Sequence, residues 1–520
     1  MRCVKLLLLM SLVLAYPISA QEPEQETPTP PPTAQSPATA QKPPAKEEKA
    51  KEPPEEKPVV THHEIHVQGK VLKYTATAGM MPIKSAEGET EAHIFFMAYT
   101  LESPAPRRPL MFSFNGGPGS ASVWLHLGAI GPQRVKLHAD GSMPVPPFQL
   151  EDNQNTWLDQ TDLVFIDPVG TGYSRAVKKE LGKKFWGVRG DIESVGEFIR
   201  LYLTRYERWT SPLFLVGESY GTTRAAGLSG YLEDHGIALN GIILVSTVLN
   251  FETLEFTRGN DLPYVLYLPS YTATAWFHQK LPPDLQANLE KAMGEAEQWA
   301  GTDYAAALAK GDQLTPAQRQ DVIDRMARYT GLKKTYLDDA NLRVGQGEFC
   351  KELLRDQKRT VGRLDSRFKG IDASGVSEQP DYDPSEAAVR PPFTAAFNNY
   401  VRTELGYKSD SEYYILGGGI DFRQWEWGSA AQGFPDVSSS LRSAMVKNRY
   451  LKVFVASGHF DLATPFFATQ YTLHHLGLDP ALVGNISTGE YDAGHMMYIS
   501  DDSLAKLHHD VSGFLDGAIK

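Results

Sequence analysis

Three residues have the types and settings needed to turn a serine hydroxyl into a nucleophile. Ser219 lies in Val216-Gly217-Glu218-Ser219-Tyr220-Gly221, between an apolar run, Pro212 to Val216, and a run that reads as helix, Thr222 to Leu232. A G-x-S-x-G turn between strand and helix reverses the chain within a few residues and pushes the hydroxyl out of the sheet. Glycine two positions either side leaves room for the reversal. The hydroxyl is weak until a base takes its proton, and the base needs a third group to orient it. Asp461 stands in Ser457-Gly458-His459-Phe460-Asp461, after the apolar strand Leu451 to Ala456. His495 stands in Asp492-Ala493-Gly494-His495-Met496, after the next strand, Val483 to Ser487. Each of the three follows the end of a predicted strand, and loops at one edge of one sheet converge in space. His459 is the competing base; two residues before the acid on the same loop, it is badly placed to reach Ser219.

Acyl chemistry also needs donors for a developing oxyanion. Leu110 to Phe114 reads as a short buried strand and runs into Asn115-Gly116-Gly117-Pro118-Gly119-Ser120. Glycines and a proline directly after a strand make a rigid turn whose N–H groups can face outward, as an oxyanion loop opposite a nucleophile turn requires. A second glycine-rich loop, Asp167-Pro168-Val169-Gly170-Thr171-Gly172-Tyr173-Ser174, follows the apolar strand Leu163 to Ile166. Ligands of open α/β sheets bind at that end of the strands.

The elements that must position these loops follow from periodicity. Val59 to Thr100 alternates as antiparallel strands, with segments such as His66 to Tyr74 and Ala92 to Tyr99. Ile192 to Trp209 has helical spacing, and Ile242 to Ser246 is a further strand. Strands alternating with helices predict an α/β protein with a mostly parallel central sheet and helices on both faces. Between Glu252 and Asn448 the rhythm becomes helical, as in Leu285 to Trp299, Thr315 to Tyr329 and Phe349 to Val361. That length without βα alternation predicts a mainly helical cap insertion over 252–448. It divides a core read as 59–251 and 449–520, which closes with a helix from Ser503 to Gly517. The order Ser219, Asp461, His495 is that of the α/β-hydrolase triad, so the α/β-hydrolase fold is the expectation.

Composition narrows the rest. The chain has 520 residues, 42% hydrophobic, and a formal net charge of -12. The acidic balance, with no basic stripe, argues against a nucleic-acid partner. Met1 to Ala20 reads as a signal peptide: Arg2 and Lys5, an apolar Leu6 to Tyr16, then small residues. No other run is long and apolar enough to cross a membrane. Residues 21–58 are Pro, Glu, Lys, Gln, Thr and Ala apart from Ser36, unable to bury enough surface to order, and read as a disordered tether. Beyond Cys3 the chain has one cysteine, Cys350, so no internal disulfide forms in the exported protein. That fits a bacterial envelope or extracellular enzyme better than a eukaryotic secreted one. Cys350 has helical neighbours and reads as a buried thiol. His62, His63 and His66 invite a metal reading. However, His63-Glu64-Ile65-His66 has the wrong spacing for one helical face and sits on a strand, so no metal or other cofactor is expected.

Taken in order, Asn115 to Gly119, Asp167 to Ser174, Gly217 to Gly221 and Gly494-His495-Met496 resemble the serine carboxypeptidase family. The likeness runs from about Val59 to the carboxyl end and is thin in the insertion. It implies that Ser219 attacks the scissile carbonyl of a peptide substrate, with His495 as base and then acid, oriented by Asp461. It also implies an oxyanion hole from the N–H groups of Gly117 and Tyr220, and capture of the terminal carboxylate by Asn115, the Gly116 N–H and Glu218. A glutamate facing a carboxylate must share a proton with it, which implies activity favoured at acidic pH. Two departures stand out: Ser113 where many members carry Trp, and Ser120 where they carry Cys. Two competing readings keep the sequence but change the function: an esterase or acyltransferase with the same triad, and a non-catalytic envelope protein on a decayed scaffold.

Overall fold

In a computed structural model, residues 56–102, 107–420, 422–428 and 433–519 are described. The expected leader, and the tether as far as residue 55, lie outside the described residues. Among the described residues no helix is long and apolar enough to cross a membrane.

Alternating β-formers open the described chain as β1 (Val59–Val67), β2 (Lys70–Lys84) and β3 (Thr90–Leu101), an antiparallel meander. Six further strands are β4 (Leu110–Phe114), β5 (Asp162–Ile166), β6 (Leu213–Ser219), β7 (Gly241–Thr247), β8 (Lys452–Gly458) and β9 (Ile486–Tyr491). They join the meander in the order β1-β2-β3-β5-β4-β6-β7-β8-β9, and a short strand, Arg175–Ala176, pairs with β3. Every neighbouring pair from β5 to β9 is parallel. A strand covered on both faces has no solvent side, so β4, β5 and β7 are buried at every residue.

Helices lie on both faces. Phe198, Ile199, Leu228 and Leu441, from the helices Val188–Arg205, Tyr220–Asp234 and Ser438–Lys447, pack in one core with Phe112 and Leu215. Phe393, Phe397, Leu504 and Val511, from the helices Pro384–Thr403 and Asp501–Ile519, pack in the other with Phe165 and Val216. The fold is thus the expected mainly parallel α/β arrangement. Within the stretch expected as a cap, residues of Leu262–Phe277, Leu289–Trp299, Pro316–Thr330 and Gln346–Glu352 build a third core. The later helices Pro384–Thr403 and Ser438–Lys447 instead feed the two sheet cores. Local chemistry marks the boundaries: Thr315 Oγ1 accepts from the Gln318 N–H while Gln318 Oε1 accepts from the Thr315 N–H, a capping box.

Several expected elements differ. The strand segment read over His66 to Tyr74 holds the Gln68-Gly69 turn between β1 and β2, and the helix read over Leu285 to Trp299 starts at Leu289, capped by Asn288. The helix read over Phe349 to Val361 stops at Glu352; Lys358 takes a positive φ of 54°, and the chain continues as a short strand, Thr360–Val361. The strand read at Val483 to Ser487 starts at Ile486. Asp479 accepts from the Ala481 N–H and caps a helical turn, Pro480–Val483, which consumes the residues expected to begin it.

Candidate active site

Ser219 ends β6 and precedes the helix Tyr220–Asp234, with φ 58° and ψ −130°. A non-glycine residue held at positive φ is costly by roughly 1–3 kcal/mol, a strain that clusters at functional sites. The turn is tight enough that a Cβ on Gly217 would stand 2.1 Å from the Gly221 carbonyl oxygen. The Asn115–Ser120 loop presses on it from β4: a Cβ on Gly116 would meet the Tyr220 nitrogen at 2.4 Å. The two backbones therefore approach too closely for any side chain to fit between them. The loop is held from behind by a buried pair, as Arg224 donates to Asp191 at 2.8 Å and to the Asn115 carbonyl at 2.7 Å.

Asn115, Gly116, Gly117, Glu218, Ser219 and His495 line one cavity of 270 Å³, together with Trp124, Leu364, Val389, Leu416 and Met496 at its apolar walls. Tyr220 sits behind the turn, buried against Trp425. Asp461 is fully buried beneath His495 and accepts from its Nδ1 at 2.8 Å. That acceptor fixes the tautomer, leaving Nε2 as the free basic nitrogen. Asp461 is in turn held by the N–H groups of Ala463 and Thr464 and by the Thr464 hydroxyl, at 2.7, 3.0 and 2.8 Å. Burial opposes charge on His495, but Asp461 and then Glu218 outweigh it, so its pKa lies above the ordinary value. Among the described residues the Ser219 hydroxyl makes no hydrogen bond to His495; such bonds in unliganded sites are often loose and tighten with substrate.

Glu218 is buried beside the serine. Its Oε2 accepts from Asn115 at 2.6 Å and from the Tyr498 hydroxyl, and its Oε1 lies 3.9 Å from His495 Nε2. Burial pushes its pKa up to about 7, against the pull of His495 and the two hydrogen bonds.

The other singled-out residues lie elsewhere. His459 is not part of the cavity; its two nitrogens bond Asp492 and Glu490 at 3.0 and 3.1 Å. Burial resists its charge, yet those carboxylates push its pKa to about 9, so it is protonated at neutral pH. His62 bonds Glu102 and His63 bonds Thr61. Cys350 is buried and free, and burial pushes its thiol to about 12. The Asp167–Ser174 loop is a brace: Asp167 accepts from the Ser122 N–H at 2.8 Å, and Ser174 donates to the Asp167 carbonyl at 2.6 Å. Ser113 is buried, with its hydroxyl unpartnered. Ser120 accepts from the Trp124 indole and bridges to Leu416.

Sequence reasoning missed Thr464, Tyr498 and Ser246, whose hydroxyl donates to the His495 carbonyl at 2.6 Å. Thr464 and Tyr498 stand three residues after Asp461 and His495, so proximity was a usable signal. Nothing in the sequence marked Ser246.

A family model described as serine carboxypeptidase matches residues 68–482. "Serine carboxypeptidase-like 51" of Arabidopsis thaliana is 30% identical over 198 residues, 34% of this chain and 39% of that protein. "Serine carboxypeptidase-like 50" of the same plant is 27% identical over 295 residues, 55% of this chain and 59% of that protein. The matches to these two relatives thus span less than two thirds of their lengths. Among solved structures, a prohormone-processing carboxypeptidase from Saccharomyces cerevisiae superposes with a TM-score of 0.50 at 17% identity, covering 85% of this chain and 91% of that one. That likeness is one of fold. The family match over most of the chain carries the assignment: the protein belongs to the serine carboxypeptidase family.

Proposed function

We propose that the protein is a serine-type carboxypeptidase that removes carboxyl-terminal residues from peptides through an acyl-enzyme. Ser219 Oγ attacks the scissile carbonyl while His495 Nε2 takes its proton, and the oxyanion sits between the N–H groups of Gly117 and Tyr220. His495 then protonates the departing amino acid, and a water activated by the same nitrogen hydrolyses the ester. Asp461 holds the tautomer and stabilises the imidazolium, itself fixed by Thr464.

The observation that carries the exopeptidase reading is Glu218, a buried carboxyl in the same cavity as Ser219 with its pKa pushed up to about 7. A carboxyl kept protonated near neutrality can donate to a substrate's terminal carboxylate, where a bare charge would repel it. Asn115 and the Gly116 N–H complete the clamp in this reading, and activity is favoured on the acid side. The leader read at Met1 to Ala20 makes the enzyme an exported one, of a bacterial envelope or the medium.

The test is a set of peptides presented as free acids and as amides. A carboxypeptidase of this kind releases free amino acids from the acids and leaves the amides far slower. Equal rates on both, or ester hydrolysis without peptide hydrolysis, favour an esterase or acyltransferase.

A further inference from the structure

The helical insertion sends one segment, Gly362 to Phe368, past the cavity, which Arg363 and Leu364 line, and it touches both loops that carry ionisable partners of Ser219. On the acid side, the Leu462 N–H donates to the Arg363 carbonyl at 3.0 Å, and the Ser366 N–H and hydroxyl both donate to the Phe460 carbonyl at 3.0 Å. On the base side, the His495 N–H donates to the Leu364 carbonyl at 2.6 Å. Asp365, buried, accepts from the Gly494 N–H at 3.1 Å. Arg367 grips the same carboxylate through Nε and Nη2, at 2.9 and 2.6 Å, and reaches on to the Asp492 carbonyl at 2.7 Å. The approach is close: a Cβ on Gly494 would meet Asp365 Cβ and the Leu364 carbonyl oxygen at 2.5 Å. The segment is itself moored, because Asp383, which caps the helix Pro384–Thr403, accepts from the N–H groups of Arg363 and Leu364 at 3.1 Å.

A third piece of chain thus braces the Asp461 and His495 loops, which also bond each other directly where the Phe460 N–H donates to the Ala493 carbonyl at 3.0 Å. We propose that Asp365 and Arg367 are positioning residues for the reaction, holding the 492–495 loop where the imidazole meets Asp461 on one side and Ser219 on the other. The proposal rests on His495 acting as the base. The pair touches no reacting atom; its effect passes through the main chain of Asp492, Gly494 and His495. Slack of about 1 Å in such a loop costs on the order of 100-fold in rate while leaving substrate contacts in place. The insertion is then part of what sets turnover, as well as a cover.

The test uses the full chain with Arg367→Met, Arg367→Lys, Asp365→Asn and, as a control, His495→Ala. It reads kcat and KM on a free-acid peptide, the rate of fluorophosphonate labelling at Ser219, and the folded fraction. Arg367→Met is expected to lower kcat and labelling about 10- to 100-fold with KM within about twofold. Arg367→Lys should recover part of the loss, since an ammonium can still hold Asp365 but cannot fork to Asp492. Asp365→Asn should act in the same direction; if it does not fold, the Arg367 pair of variants carries the test. Unchanged kcat in Arg367→Met, a rise in KM alone, or a loss that only tracks unfolded protein overturns the proposal. If His495→Ala retains full rate, the base assignment fails and the proposal with it. His495→Ala dead beside a fully active Arg367→Met sinks the proposal alone.

Discussion

Glu218 Oε1 lies 3.9 Å from His495 Nε2, both groups buried. At that distance the two titrate as a pair, and the apparent pKa values belong to the pair. A neutral imidazole beside a protonated carboxyl carries the same number of protons as an imidazolium beside a carboxylate. The form proposed to be competent, free base plus proton-bearing clamp, is therefore one tautomer of the singly protonated pair. Activity should rise as the pair loses its second proton and fall as it loses the last.

Glu218→Gln breaks that coupling. The amide donates at every pH, so the alkaline fall in kcat/KM on free-acid peptides should flatten. Glu218 also raises the pKa of His495, so its removal should let the acid limb extend to lower pH. A pH–rate profile of the variant indistinguishable from wild type contradicts the clamp.

Tyr498→Phe tests the same group from the other side. The Tyr498 hydroxyl donates to Glu218 and pulls its pKa down against burial. Without that donor Glu218 should hold its proton to higher pH, and the alkaline limb should move up. A limb that stays put, or moves down, shows that Glu218 does not govern it.

Stability should carry the mirror signature. The carboxyl of Glu218 has an ordinary value of 4.5 and is pushed to about 7 in the fold. A raised carboxyl binds its proton more tightly folded than unfolded, so stability is fullest below about 4.5 and is lost as pH rises through about 7. Relative to wild type, Glu218→Gln should therefore gain in urea midpoint between pH 4.5 and pH 8. A constant difference across that range removes the buried-proton argument.

Asp461→Asn should leave the fold intact, because the amide still fits the space beside Ala463 and Thr464. Turnover should drop by roughly a thousandfold or more, since an amide that donates toward Nδ1 favours the wrong tautomer. Near-normal kcat in a folded variant excludes Asp461 as the orienting acid.

What the sequence made legible was local. The turn at Ser219 could be read because strand, glycine spacing and helix lie within twenty residues. The meeting of Asp461 with His495 could be read because each follows a strand, even though β9 begins three residues later than its apolar run. The end of the helix at Glu352 was not readable, since no glycine or proline stands near it, and the positive φ at Lys358 that leads into the next strand leaves no mark in a lysine. Nor was the Asp365–Gly494 contact, which spans 129 positions and joins an irregular segment of the insertion to a loop of the sheet. Contacts of that kind depend on how the insertion folds back, and no periodicity encodes it.

The most direct measurement is mass spectrometry of one free-acid peptide after incubation with wild type and with Ser219→Ala, the variant shown to be folded. Successive loss of residues from the carboxyl end is expected with wild type, and an unchanged peptide with Ser219→Ala. Residues lost at the same rate with the variant, or wild-type cuts inside the peptide with its carboxyl end intact, would overturn the carboxypeptidase reading.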